Sequence, residues 1–170
     1  MAEWGYLSTD FGVNIKMAKS KFSLVSHKKY FLDVVKETDK KTLAIWSIDC
    51  VKRVIQYFEE KYAEDNRPQE AIEELQKWIK TGKFSMKIIR KASLDAHAAA
   101  REVGEDNSAR SAARAAGQAV ATAHVSTHSI GGAIYALQAI YRDSNRSEAD
   151  VIKERDWQYK HLLELVRKSK

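Results

Sequence analysis

The sequence predicts an all-α fold, a compact bundle of about six to seven helices with an alanine-rich hairpin at its centre. Three observations carry that reading. From His27 onward, apolar residues recur three and four positions apart, the period of one helix face. No segment shows the strict alternation of a half-buried strand. Breakers are few, one proline and seven glycines, and several fall where a helix would start or stop. The length, 170 residues, suits one substantial core.

Residues 1–26 read as a poorly structured N-terminal arm, with Gly5, Ser8, Thr9, Asp10, Gly12 and Asn14 and no sustained period. Met17 offers an alternative start. Residues 27–170 read as a single helical domain. Its first helix is short, about His27 to Lys36, with Tyr30, Phe31, Val34 and Val35 apolar. Asp39 is suited to cap a second helix, whose stripe of Leu43, Trp46, Cys50, Val54, Tyr57 and Phe58 faces a core. A third helix starts at Asp65-Asn66-Arg67-Pro68, where a proline costs no hydrogen bond in the first turn. It buries Ala71, Ile72, Leu75, Trp78 and Ile79 and stops at Gly82. A fourth runs from about Ser85 to Val103 and stops at Gly104. A fifth starts near Asn107 or Ser108 and reaches about His124. Val125 to Ser129 is either a break or a continuation. A further helix covers Ile130 to Arg142. The last begins with Ser147-Glu148-Ala149-Asp150, a capping-box pattern, and ends near Arg167.

The alanine-rich fourth and fifth helices carry the polar residues with the most chemistry. Alanine favours helix and allows close helix–helix approach. At roughly 100° per residue on a continuous helix, Arg110, Arg114, Gly117, Ala121, His124 and His128 fall within about 80° of one another, with Gln118 beside them. Ser93, His97 and Arg101 stack on the preceding helix. Asp95, two residues before His97, points elsewhere. If the helices pair, His97, Arg101, Arg110, Arg114, His124 and His128 share one seam. That seam is either a buried polar network fixing helix register or a groove in which guanidinium groups grip a carboxylate or phosphate. The binding candidates are therefore Asp95, His97, Arg101, Arg110, Arg114, Gln118, His124 and His128. No catalytic residue, metal ligand set or cofactor is assigned.

Composition excludes several classes. Cys50 is the only cysteine, so neither an intrachain disulfide nor a cysteine-based zinc cage can form. Its place on an apolar stripe makes a buried thiol the expectation. No apolar run reaches the ~20 residues that span a bilayer, nor the length of a signal peptide. The expectation is a cytoplasmic protein without membrane insertion. There is no phosphate-cradling glycine loop, no H-E-x-x-H and no G-x-S-x-G. Net charge is +6 with a pI of about 9.3, and the charge is segregated. Residues 59–74 hold seven acids and two bases, while residues 75–91 hold six bases and no acid. Such a stretch is a solvated surface or a two-signed docking face.

Two segments resemble a known family. They are Ala92-Ser93-Leu94-Asp95-Ala96-His97-Ala98-Ala99-Ala100-Arg101, and the run from Ala109 through Arg110, Arg114, Gly117, Gln118, His124 and His128 to Ala133. Together with Phe22 to His27 and Trp46 to Cys50 they resemble a family of small bacterial immunity proteins associated with polymorphic toxin systems. The resemblance covers roughly residues 22–142. It implies an all-α protein that neutralises a cognate toxin in the producing cell by binding it, without catalysis. It brings no established site residues. A homodimer is compatible with the charged terminal helix. Two other readings stand beside it: a metal-dependent enzyme using His97, His124 and His128 with Asp95, and a helical nucleic-acid-binding module using the 77–91 basic run.

Overall fold

Short polar breaks cut the chain into helices, and the computed structural model describes residues 29–145 and 147–169 of it. Among the described residues there are eight: α1 (Lys29–Glu37), α2 (Lys40–Lys52), α3 (Gln56–Glu59), α4 (Arg67–Thr81), α5 (Met86–Glu102), α6 (Ser108–Ala121), α7 (His128–Asp143) and α8 (Glu148–Lys168). No strand occurs among these residues. The expected N-terminal arm and Met17 lie outside them.

Local chemistry sets most boundaries. The Asp39 carboxylate accepts from the Thr42 N–H at 2.9 Å, the Asn107 side chain accepts from Arg110 N–H at 3.0 Å, and Ser147 accepts from Asp150 N–H at 3.2 Å. Pro68 lies in the first turn of α4, and Gly82 ends that helix at φ 66°, a left-handed geometry that glycine adopts without strain. Two expected helices end early. The second helix, read through Phe58, breaks after Lys52, where Val54 N–H turns back to Val51 O at 2.9 Å. The fifth, read to His124, ends at Ala121, where Thr122, Ala123 and His124 donate three residues back. Both tightenings leave the apolar residues inward, so the hydrophobic pattern runs on through them.

The alanine-rich α6 lies at the centre, against α2, α3, α4, α5 and α7. Ala109, Ala112, Ala113, Ala115, Ala116 and Ala119 are fully buried. A helix buried on nearly all sides has room for little more than methyl groups. α5 and α6 form the expected hairpin, and α7 is packed on α6 at least as closely. Gly132 of α7 sits under the Ser47 hydroxyl of α2 and over the α6 backbone at Ala115 and Ala119.

The charged α8 is more deeply embedded than its composition indicates. Val151, Glu154, Gln158 and Leu162, spaced three and four apart, are buried. The Trp46 indole donates to Gln158 O at 2.9 Å, and the Gln158 amide donates to Ala133 O at 3.1 Å. Glu154 takes a fork from Arg53 at 2.8 and 2.9 Å, and that guanidinium lies 4.0 Å over the Trp157 ring. Trp46 is fully buried, while Trp78 and Trp157 pack on the core from its edge. Cys50 is buried, as expected, and burial pushes its thiol well above the ordinary pKa. Among the described residues no helix is long and apolar enough to cross a membrane.

Candidate functional site

The seam between α5 and α6 is built around a missing side chain. Gly117 has no Cβ, and one placed there would lie 2.9 Å from Nε2 and 3.0 Å from Cδ2 of His97. The imidazole therefore rests on the α6 backbone. One turn earlier, the Ser93 hydroxyl donates to Gly117 O at 2.8 Å. Ser93 and His97 together clasp one residue of the neighbouring helix. Burial, then the guanidinium charges of Arg114 and Arg101 and the His128 ring, bring the His97 pKa from 6.5 to about 4. The ring is neutral at physiological pH.

A second clasp joins α6 to the start of α7. Oε1 of Gln118 lies 2.8 Å from Nδ1 of His128. A carbonyl oxygen only accepts, so Nδ1 carries the proton. The Gln118 side chain occupies the space that a Cβ on Gly131 would fill. Burial, then the neighbouring His124, lowers the His128 pKa. His124 itself is exposed, in the turn after α6, and its carbonyl accepts from Lys40 Nζ at 3.1 Å.

Further along, guanidinium groups gather around one carboxylate. Arg110 donates to Asp106 at 2.8 Å, and Arg142 of α7 approaches the same oxygen at 3.5 Å. Arg142 also donates to the Ser111 hydroxyl at 2.9 Å, and Ser111 donates to Gln138 Oε1 at 3.0 Å. Arg114 reaches the Tyr135 hydroxyl at 3.5 Å. Burial opposes ionisation of Asp106, yet the Arg110 hydrogen bond and the charges of Arg142, Arg110 and Arg114 hold its pKa below the ordinary value.

The eight candidates thus separate. His97 sits at the α5–α6 contact and Gln118 pairs with His128 at the α6–α7 contact, with the charges of Arg101 and Arg114 within reach of His97. Arg110 belongs to the Asp106–Arg142 cluster, and Arg101 and His124 are exposed. Asp95 pairs with Lys91 one turn back along α5, away from the imidazoles. Among the described residues, no three His, Cys, Asp or Glu side chains come together as a metal ligand set. The stripe computed for one continuous helix required correction, because the chain breaks at Ala121 and His128 opens α7. Sequence reasoning missed Asp106, Arg142 and Tyr135. Asp106 stands four residues before Arg110, a legible ion-pair spacing, but no spacing relates Arg142 to either.

Elsewhere a cleft of about 330 Å³ is lined by residues including Arg53, Tyr57, Asp143, Asp150, Lys153 and Glu154. At the α4–α5 corner Phe84, Met86, Ile88 and Leu94 are exposed among lysines.

Residues 33–165 match the family described as Imm-5 like putative immunity protein. No curated protein and no solved structure matches the chain.

Proposed function

Because the chain belongs to the Imm-5 like immunity protein family, we propose that it binds and neutralises a cognate toxin protein without catalysing a reaction. The observation that carries this reading is the extent of the match, which runs from within α1 to near the end of α8. The seam geometry agrees with it. His97 and His128 are spent on helix contacts and Asp95 on Lys91, so the imidazole–carboxylate set read from the sequence is not brought together, although His161 pairs with Asp49 elsewhere at 2.7 Å. In this reading His97, Gln118 and His128 hold α5, α6 and α7 in register. The scaffold then presents a rigid surface, which keeps the ordering cost of binding low.

The test is co-expression with the toxin encoded beside the gene. Growth is expected to be restored, and the two chains should co-elute as a complex. Cells that die while the folded chain accumulates at levels matching the toxin would contradict the reading.

A further inference from the structure

We propose that the corner formed by the end of α4 and the start of α5 is the docking surface for the toxin, and that the toxin meets it with an acidic face that also carries apolar side chains. This rests on the toxin-binding reading above and adds a place and a chemistry to it.

The charge is the first observation. Lys77 and Lys80 lie in the last turns of α4, Lys83 in the connection, and Lys87, Arg90 and Lys91 in the first turns of α5. Residues 75–91 contain no acid. Lys77 has Glu74 at 3.7 Å and Lys91 has Asp95. Among the described residues no acidic side chain pairs with Lys80, Lys83, Lys87 or Arg90, and all four are exposed. Four neighbouring cations without counter-charge repel one another, and an acidic partner relieves that repulsion.

Apolar exposure is the second observation. Phe84, Met86, Ile88 and Leu94 are 48%, 42%, 46% and 53% exposed. Single exposed apolar residues are ordinary, but four within residues 84–94, interleaved with unpaired cations, favour a partner that covers both. These side chains are not needed inside, because α5 packs inward through Ile89, Ala92, Ala96, Ala99 and Ala100. On its outward side Lys87, Arg90, Lys91 and Leu94 share one face by helical spacing.

The combination selects among occupants. A protein partner offers carboxylates and apolar side chains on one surface, which matches the interleaved cations and apolar side chains of this corner. A nucleic acid backbone would use the lysines and leave Met86, Ile88 and Leu94 without a partner. A membrane surface requires a broad continuous apolar face, whereas Lys87, Arg90 and Lys91 stand between Ile88 and Leu94 on α5. A second copy carries the same net charge of +6 and is repelled over distance.

The experiment compares the full chain with K80E/K87E/R90E, and with K153E/K160E/K168E on α8 as a control of equal charge change. Binding of a catalytically inactivated cognate toxin is titrated at two salt concentrations, with thermal melts to verify folding. The corner variant should bind about thirty-fold more weakly at an unchanged melting temperature, and the α8 variant should stay within about threefold. Wild-type affinity in a folded corner variant overturns the docking site and leaves the toxin-binding function intact. Absence of toxin binding by the unsubstituted chain overturns that function instead. Duplex RNA, or vesicles of phosphatidylserine and phosphatidylcholine, bound by the wild type and not by the corner variant while toxin affinity is unchanged, would reassign the surface. A change of oligomeric state in the corner variant, again with unchanged toxin affinity, would reassign it to self-association.

Discussion

Acidification from pH 7 to pH 4.5 is expected to remove about 3 kcal/mol of folding stability, and His97→Gln should remove most of that dependence. Folding lowers the His97 pKa from 6.5 to about 4, through burial first and then through Arg114, Arg101 and His128. Below pH 6.5 the unfolded chain takes up a proton at this imidazole, while the folded chain takes one up only near pH 4. Protons therefore favour the unfolded state across that window. The stabilising contribution is complete above the unfolded pKa, declines as the pH falls, and levels off below the folded pKa. His128, lowered by burial and by His124, acts in the same direction. The carboxyls held below their ordinary values, Asp39, Asp65, Glu102 and Asp106, weaken the fold at still lower pH. Urea unfolding at half-unit steps between pH 7 and 4.5 resolves the imidazole contribution. Parallel curves for wild type and variant would show that His97 is not buried against Gly117.

Gly132→Val is expected to cost about 3 kcal/mol or more. A Cβ at this position would collide with the Ser47 hydroxyl and lie 3.5 Å from both Ala115 O and Ala119 N. The hydroxyl can rotate away, with loss of its long 3.4 Å bond to Ser129 O. The α6 backbone cannot, because α6 is held by neighbours on nearly every side. The two further methyl groups of valine would meet that backbone. Gly132→Ala is expected to be much milder, since a gain in helix propensity of about 1 kcal/mol offsets part of the strain. Chemical denaturation of both variants, alone and combined with Ser47→Ala, separates the causes. The serine exchange should relieve the alanine variant and leave the valine variant impaired. A valine variant as stable as wild type would place α7 further from α2 and α6.

How much of this was legible in the sequence follows from the range of each interaction. Caps at Asp39, Asn107 and Ser147 and the stop at Gly82 depend on neighbours within a few residues, so composition and spacing reveal them. The early ends of α2 and α6 were hidden, because a shift from four-residue to three-residue hydrogen bonds leaves the apolar pattern unchanged. Burial of α8 was hidden for another reason. Glu154 and Gln158 look like solvent residues until Arg53 and Trp46, over a hundred positions away, supply their partners. In the candidate site, the chemistry of His97, Gln118 and His128 was readable, but the route by which they approach was not, because His128 opens α7 instead of continuing the helix of Gln118. Spacing left a buried network and a groove equally open, because the choice depends on Gly117 and Gly131 offering space to side chains from other turns and helices. The basic run at 75–91 was evident as charge, whereas the exposure of Phe84, Met86, Ile88 and Leu94 required the packing of α5.

The most direct measurement is amide hydrogen exchange on the chain alone and in complex with its toxin. New protection should concentrate in residues 77–94, while residues 108–121, already enclosed, change little. Protection confined to the 101–128 segment, with 77–94 exchanging as in the free chain, would contradict a toxin held at the cationic α4–α5 corner.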